Sequence, residues 1–253
     1  MKVFFFLSVL LISHISLFGQ VLRDIDPMIT DRPGQGTDAP AVVEPGHVQV
    51  EIGFLYQDDP NPRQELFLYP NTLVRIGLIE RFELRVSADL FQEGLGDVTF
   101  VSPITLGTKI GITENRGIIP QSALIANITL PREGPLEVFN PIATPELRLL
   151  MTHALTQNVS LTTNLGIAWE ADPIIIRYPN HSYAASLDIS LNDYLAAFGE
   201  FYGFWSQLDH SHLFNLGGTV LLLPDLQLDV SGGVGISENA PDYFVSIGVS
   251  VRF

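Results

Sequence analysis

From Gly46 onward the chain repeats one pattern. Stretches of about ten residues alternate apolar with polar positions and are separated by clusters of turn-forming residues. Successive side chains of a strand point to opposite faces, so each stretch has an apolar face and a polar one. The spacing predicts strands near His47–Gln57, Glu65–Gly77, Phe82–Leu90, Ile104–Ile112, Gln121–Leu130, Pro145–His153, Val159–Trp169, Ser182–Leu191, Leu195–Trp205, His212–Leu222, Leu226–Ile236 and Tyr243–Phe253. The third is the cleanest, with Phe82, Leu84, Val86, Ala88 and Leu90 against Glu83, Arg85, Ser87 and Asp89. In the second, Leu66, Leu68, Thr72, Val74 and Ile76 are assigned to the apolar face, opposite Asn71 and Arg75. Its Pro70 cannot donate to a ladder and predicts a bulge. The stretch Gln121–Leu130 alternates least.

A tilted strand of about ten residues is long enough to cross a bilayer, and an even number of strands is the rule for bacterial single-chain barrels. Long connections (Asp58–Gln64, Phe91–Pro103, Pro131–Thr144, Glu170–His181, Ser206–Ser211, Ser237–Asp242) interleave with short ones (Leu78–Arg81, Ala154–Asn158, Asn192–Tyr194, Leu223–Asp225). Only Thr113–Pro120 is out of line. Outer-membrane barrels alternate in this way, with the short turns periplasmic. Phe54, Tyr56, Phe82, Trp169, Tyr183, Trp205, Tyr243 and Phe253 fall on apolar faces near strand ends, as in interfacial aromatic girdles. The expected fold is all-β: a transmembrane antiparallel up-and-down β-barrel of about 12 strands. A soluble β-sandwich shares the alternation, because periodicity does not say whether the apolar face looks inward or outward.

The N-terminus differs. Residues 1–20 pair a basic Lys2 with an apolar run, Val3–Ile12, too short to span a membrane; they read as a signal peptide cleaved after Gly19 or Gln20. Residues 21–45 are rich in Pro, Gly, Asp and Thr, lack either period, and read as an irregular arm. The barrel is assigned to 46–253. With 46% hydrophobic and 16% charged residues, the chain is too apolar for disorder. A net charge of −15, which becomes −16 once Lys2 is removed with residues 1–20, disfavours binding to nucleic acid. The absence of cysteine excludes disulfides, thiolate metal sites and a lipoprotein anchor.

The candidate chemistry lies on the polar faces, which carry Glu51, Arg75, Glu83, Arg85, Lys109, Glu146, Arg148, Asp188, Glu200, Asp229 and Arg252. Enclosed in a barrel, these charges either line a pore and tune solute passage or pair with one another and fill the interior. Asp31 and Arg32 of the arm are placed to plug the lumen by pairing with them; the alternative is a periplasmic tail. Asp209, His210 and His212 have a spacing that can hold a metal, but read better as exposed loop residues. His153 and His181 sit at strand ends. Ser211 adjoins two histidines, yet neighbours on a strand face opposite ways, so no catalytic triad is visible and the chain is expected not to be an enzyme. Gly232, Gly233 and Gly235 precede no helix that could bind phosphate and suit barrel curvature. No cofactor and no metal are expected.

The arm and first strand read ITDRPGQGTDAPAVVEPGHVQVEIGF. Thr30, Asp31, Arg32 and Pro33, then Gly46, Gln49, Glu51 and Gly53, resemble the opening of a family of outer-membrane transporters labelled the meta-pathway of phenol degradation family. GEFYGFW from Gly199 is similar to the family's acidic aromatic strand, with Glu200 matching its inward acid. Gly96–Asp97 is similar to the start of a later strand, whereas VTFVSPIT, with Pro103, departs from the pattern. The resemblance implies an outer-membrane channel for passive uptake of small solutes, hydrophobic or aromatic among them; the alternative is a non-conducting structural or surface-binding barrel. The partners it implies are membrane lipid, a small-molecule solute and the barrel-assembly machinery, which would recognise the terminal aromatic Phe253.

Overall fold

The structure, a computed structural model, describes residues 27–60, 63–93, 99–132, 140–170, 177–207 and 209–253. The expected signal peptide, residues 21–26 of the arm and Gly96–Asp97 lie outside the described residues. The strands are β1 (Val48–Pro60), β2 (Arg63–Ile79), β3 (Phe82–Glu93), β4 (Phe100–Val101), β5 (Thr105–Thr113), β6 (Gln121–Thr129) and β7 (Thr144–Ala154). They continue with β8 (Val159–Glu170), β9 (Tyr178–Ser190), β10 (Leu195–Ser206), β11 (His210–Leu223), β12 (Leu226–Gly235) and β13 (Tyr243–Arg252). Twelve long strands form one antiparallel ring in sequence order, closed by β1 on β13. At the seam Val48 and Phe253 exchange backbone hydrogen bonds of 3.1 and 2.8 Å. The two-residue β4 pairs with Leu90 and Phe91 of β3, where plain loop was expected.

Faces are sorted as in a membrane barrel rather than a soluble domain. Leu165, Val230 and Ile247 are 54%, 57% and 58% exposed, while Arg75, Glu83, Lys109 and Glu200 are all 0% exposed. A closed ring leaves no unpaired backbone edge to face lipid, and an exterior this apolar is stable only against an apolar solvent. On the outer face near the long-loop end, Tyr183 lies against Trp205, Phe201 and His212, and His181 stacks on Trp205.

The bulge expected at Pro70 is present and has a consequence for the facing of β2. Gly53 pairs with Asn71 and Leu55 with Leu68, so Tyr69 and Pro70 together oppose Phe54. Directly paired residues share a face. The extra residue therefore turns Leu66 and Leu68 inward with Leu55, and sends Phe67 outward against Tyr56, 4.9 Å between rings. The assignment of Leu66 and Leu68 to the face of Thr72 is corrected accordingly.

Some inward positions are apolar. Tyr202, Leu213, Phe244 and Ala184 cluster with Ala240 of the β12–β13 connection, and Leu55 packs against them. Ala123, Ile125 and Leu150 make a second buried group on β6 and β7. Inward apolar side chains on β6 explain its weak alternation.

Candidate functional site

Residues 27–47 run inside the ring. Met28 N donates to Pro224 O (2.9 Å) at the short-turn end, Gly34–Thr37 turn beside Glu200, and Gly46 N bonds Gly77 O (2.9 Å) where the chain enters β1. Along this path the arm bonds most of the inward charges that the sequence singled out, though not Glu146, Asp188 or Arg252.

Against β1, β2, β3 and β5 the contact is ionic. Asp31 accepts from Lys109 Nζ (2.9 Å) and from Arg85 (2.5 Å), and lies 3.7 Å from Arg75. Arg75 forks onto Glu83 with two bonds of 2.9 Å and reaches Glu51 at 3.0 Å. Glu51 in turn accepts the backbone N–H groups of Asp31 and Arg32, and Glu83 accepts that of Val43. Lys109 and Arg75 also donate to the arm carbonyls of Ala39 and Ala41. Burial alone would raise the Asp31 carboxyl, but Arg75, Lys109 and Arg85 outweigh it and hold it well below the usual carboxylate range. Arm residue Asp38, which the sequence reading missed, takes Arg148 at 2.5 Å, and Arg148 bonds Glu146 at 2.6 Å.

Against β10 to β13 the contact is a set of cradles. Arg32 donates to Asp229 through two nitrogens (3.2 and 2.9 Å) and to Ser246. The guanidinium occupies space left by Gly53 and Gly248: a Cβ there would fall 2.0 and 2.2 Å from its atoms. Glu200 receives the consecutive N–H groups of Gln35, Gly36 and Thr37, the Thr37 hydroxyl and the Asn215 amide. Consecutive N–H groups make a concave anion seat, here filled by a side chain of the same molecule. Arg252 pairs with Asp225 at the short-turn end (2.7 Å).

Between the arm and the wall from β6 to β12 a cavity of about 440 Å³ remains. Its wall is mostly hydroxyl and amide: Gln121, Thr152, Ser160, Thr162, Ser186 and Thr219 among others, with Phe198. Of the eleven inward charges named from the sequence, Asp188 alone borders this space. The rest are packed against the arm or one another, except Arg252, which pairs with Asp225 of the β11–β12 turn.

Among the described residues no group of three or more His, Asp or Glu could hold a metal. His210 and His212 lie on one face of β11, rings 5.9 Å apart, with Ser211 between them directed the other way. Asp209 is engaged by Asn239. Phe253 projects outward, 62% exposed, at the seam.

A closed twelve-strand barrel, apolar outside and ionic inside, with a segment of its own chain folded into the lumen, defines an outer-membrane-type channel fold. The family model described as "Putative MetA-pathway of phenol degradation" matches residues 30–253, and the chain belongs to that family. Among solved structures it is similar to a COG4313 outer membrane channel from Pseudomonas putida F1, at 12% identity and TM-score 0.67, covering 87% of this chain and 99% of that one. It is similar also to the NanC porin (10% identity, TM-score 0.56, 81% and 98% covered). A third is the KdgM porin in complex with disordered oligogalacturonate (10%, 0.53, 81% and 99%). No curated protein matches the chain. Identities this low speak for the fold.

Proposed function

We propose that the chain is a passive uptake channel of the outer membrane, whose lumen is narrowed by its own N-terminal arm acting as a plug. The observation that carries this reading is the juxtaposition of arm and cavity: one side of the lumen is closed by ion pairs and the other is left as space of about 440 Å³. Twelve strands lie between the eight that side chains just fill and the sixteen that leave a wide aqueous pore, so a segment of about twenty residues changes the lumen from open to restricted. Membership of a family described by phenol degradation supports small aromatic compounds as a solute class. The exposed aromatic Phe253 supports delivery by the barrel-assembly machinery. The inward charges act mainly as anchors for the arm, and the solute passes beside it.

The purified full chain in a planar bilayer tests this directly. Small discrete current steps are expected. A second reading, a non-conducting barrel, draws support from the apolar cluster of Tyr202, Leu213 and Phe244 toward the long-loop end; persistent silence in the bilayer selects it.

A further inference from the structure

We infer that the cavity beside the arm is a cation-preferring vestibule, and that Asp188 is the residue that sets this preference. The inference rests on the channel reading for its purpose, but its geometry stands without it.

The cavity's charged lining residues are Asp31, Arg32, Asp38 and Asp188. Three of these are neutralised across the lumen. Asp31 sits among Lys109, Arg85 and Arg75; Asp38 takes Arg148; Arg32 is committed to Asp229. Asp188 differs. Its two oxygens accept from Thr162 (3.0 Å) and Ser186 (2.7 Å), and among the described residues no cation lies within 4.0 Å of it. Hydroxyl donors orient a carboxylate without cancelling its charge. Glu200, behind the arm's turn, adds a second negative charge held by N–H groups and an amide rather than a cation. Phe198 lines the same space, and an aromatic face also favours a cation over an anion. The cavity therefore has net negative potential on its hydroxyl-rich side. Low-dielectric walls focus such a field and concentrate counter-ions. The class of solute it favours is small and positively charged, or carries a positively charged group on a compact body.

The wall also shows where access lies. Gln121 opens β6, Ser190 closes β9 and Gln227 lies at the start of β12, all at the short-turn end. The vestibule thus faces the periplasm.

The chain contains no cysteine, so single thiols report cleanly. Ser190 lies two residues from Asp188 on the same face, about 7 Å away along a strand. The experiment places Ser190→Cys in the otherwise unaltered protein and in an Asp188→Asn background, and measures its reaction with a cationic (trimethylammonium) and an anionic (sulfonate) methanethiosulfonate. Gln157→Cys, in the exposed turn between β7 and β8, is the reference. At this separation a unit charge changes the cation-to-anion rate ratio by roughly fivefold. The expected result is a ratio about fivefold higher at residue 190 than at 157, lost in Asp188→Asn. Equal ratios at both sites, a preference that survives Asp188→Asn, or a thiol at 190 that reacts with neither reagent would each overturn the inference. Bilayer currents report separately on the channel: silence there with the thiol preference intact removes the channel reading and leaves the vestibule.

Discussion

At the residue scale, single side chains of the arm are held by close fits to the barrel wall. Arg32 fits only because Gly53 and Gly248 lack a Cβ. Gly248→Val is expected to eject the guanidinium, leave Asp229 unpaired and raise single-channel current, while the barrel still shows its heat-dependent gel mobility. Asp31 gives a pH signature. Its folded carboxyl is held well below the ordinary value of 3.8, so its contribution to docking is complete above about pH 4 and is lost as pH falls through the lowered value. Current should be flat from pH 7 to 5 and rise only below about pH 4, and Asp31→Asn should show the raised current already at pH 7. Current that changes between pH 7 and 5 would contradict this. The inward facing of Glu83, Arg85, Glu146 and Arg148 was legible because each charge falls on the polar parity of an otherwise clean strand. Their partners were not. Asp38 lies 110 positions from Arg148 and Arg32 lies 197 from Asp229, and an aperiodic arm gives no register from which to derive such contacts.

At the element scale the strand limits were readable from turn chemistry, and the parity of one half-strand was not. Pro70 announced a bulge, but whether the chain switches face across it depends on how many residues oppose the bulge in β1. Leu66 and Leu68 therefore pass from the expected exterior to the interior, beside Leu55. β6 was weak in the sequence for a physical reason: Ala123 and Ile125 face inward against Leu150 and remove the contrast between its faces. The exterior assignment is tested on β12. Val230 is mid-strand and exposed to the surrounding medium. Val230→Arg should destabilise the barrel in lipid vesicles by about 2–4 kcal/mol, whereas Ile236→Arg, beyond the strand end, should cost about 0–1 kcal/mol. Urea titration in vesicles reads the difference; equal costs at the two positions would place the bilayer elsewhere.

At the scale of the whole molecule the barrel, the arm and the cavity form one device. The ring supplies a lipid-compatible wall, and its inner face supplies a charge network too costly to leave half-made. Removing one partner from a buried ion pair costs about 3–5 kcal/mol. Lys109→Met should therefore loosen the arm from β5 and lower the urea midpoint by a corresponding amount, with the far side of the lumen unaffected. The general architecture followed from alternation, loop asymmetry and a cysteine-free, acidic composition. What remained hidden was the asymmetry of the interior, because period-two patterning tells which way a side chain points and nothing of what meets it there. The measurement that bears most directly on the arm in the lumen is single-channel conductance of the full chain against an Arg32→Ala/Gly36→Leu variant, both changes lying on the arm and the second driving a side chain into Tyr202. Larger current steps in the variant, with its barrel intact by gel mobility, are the predicted result; identical steps in the two proteins would contradict it.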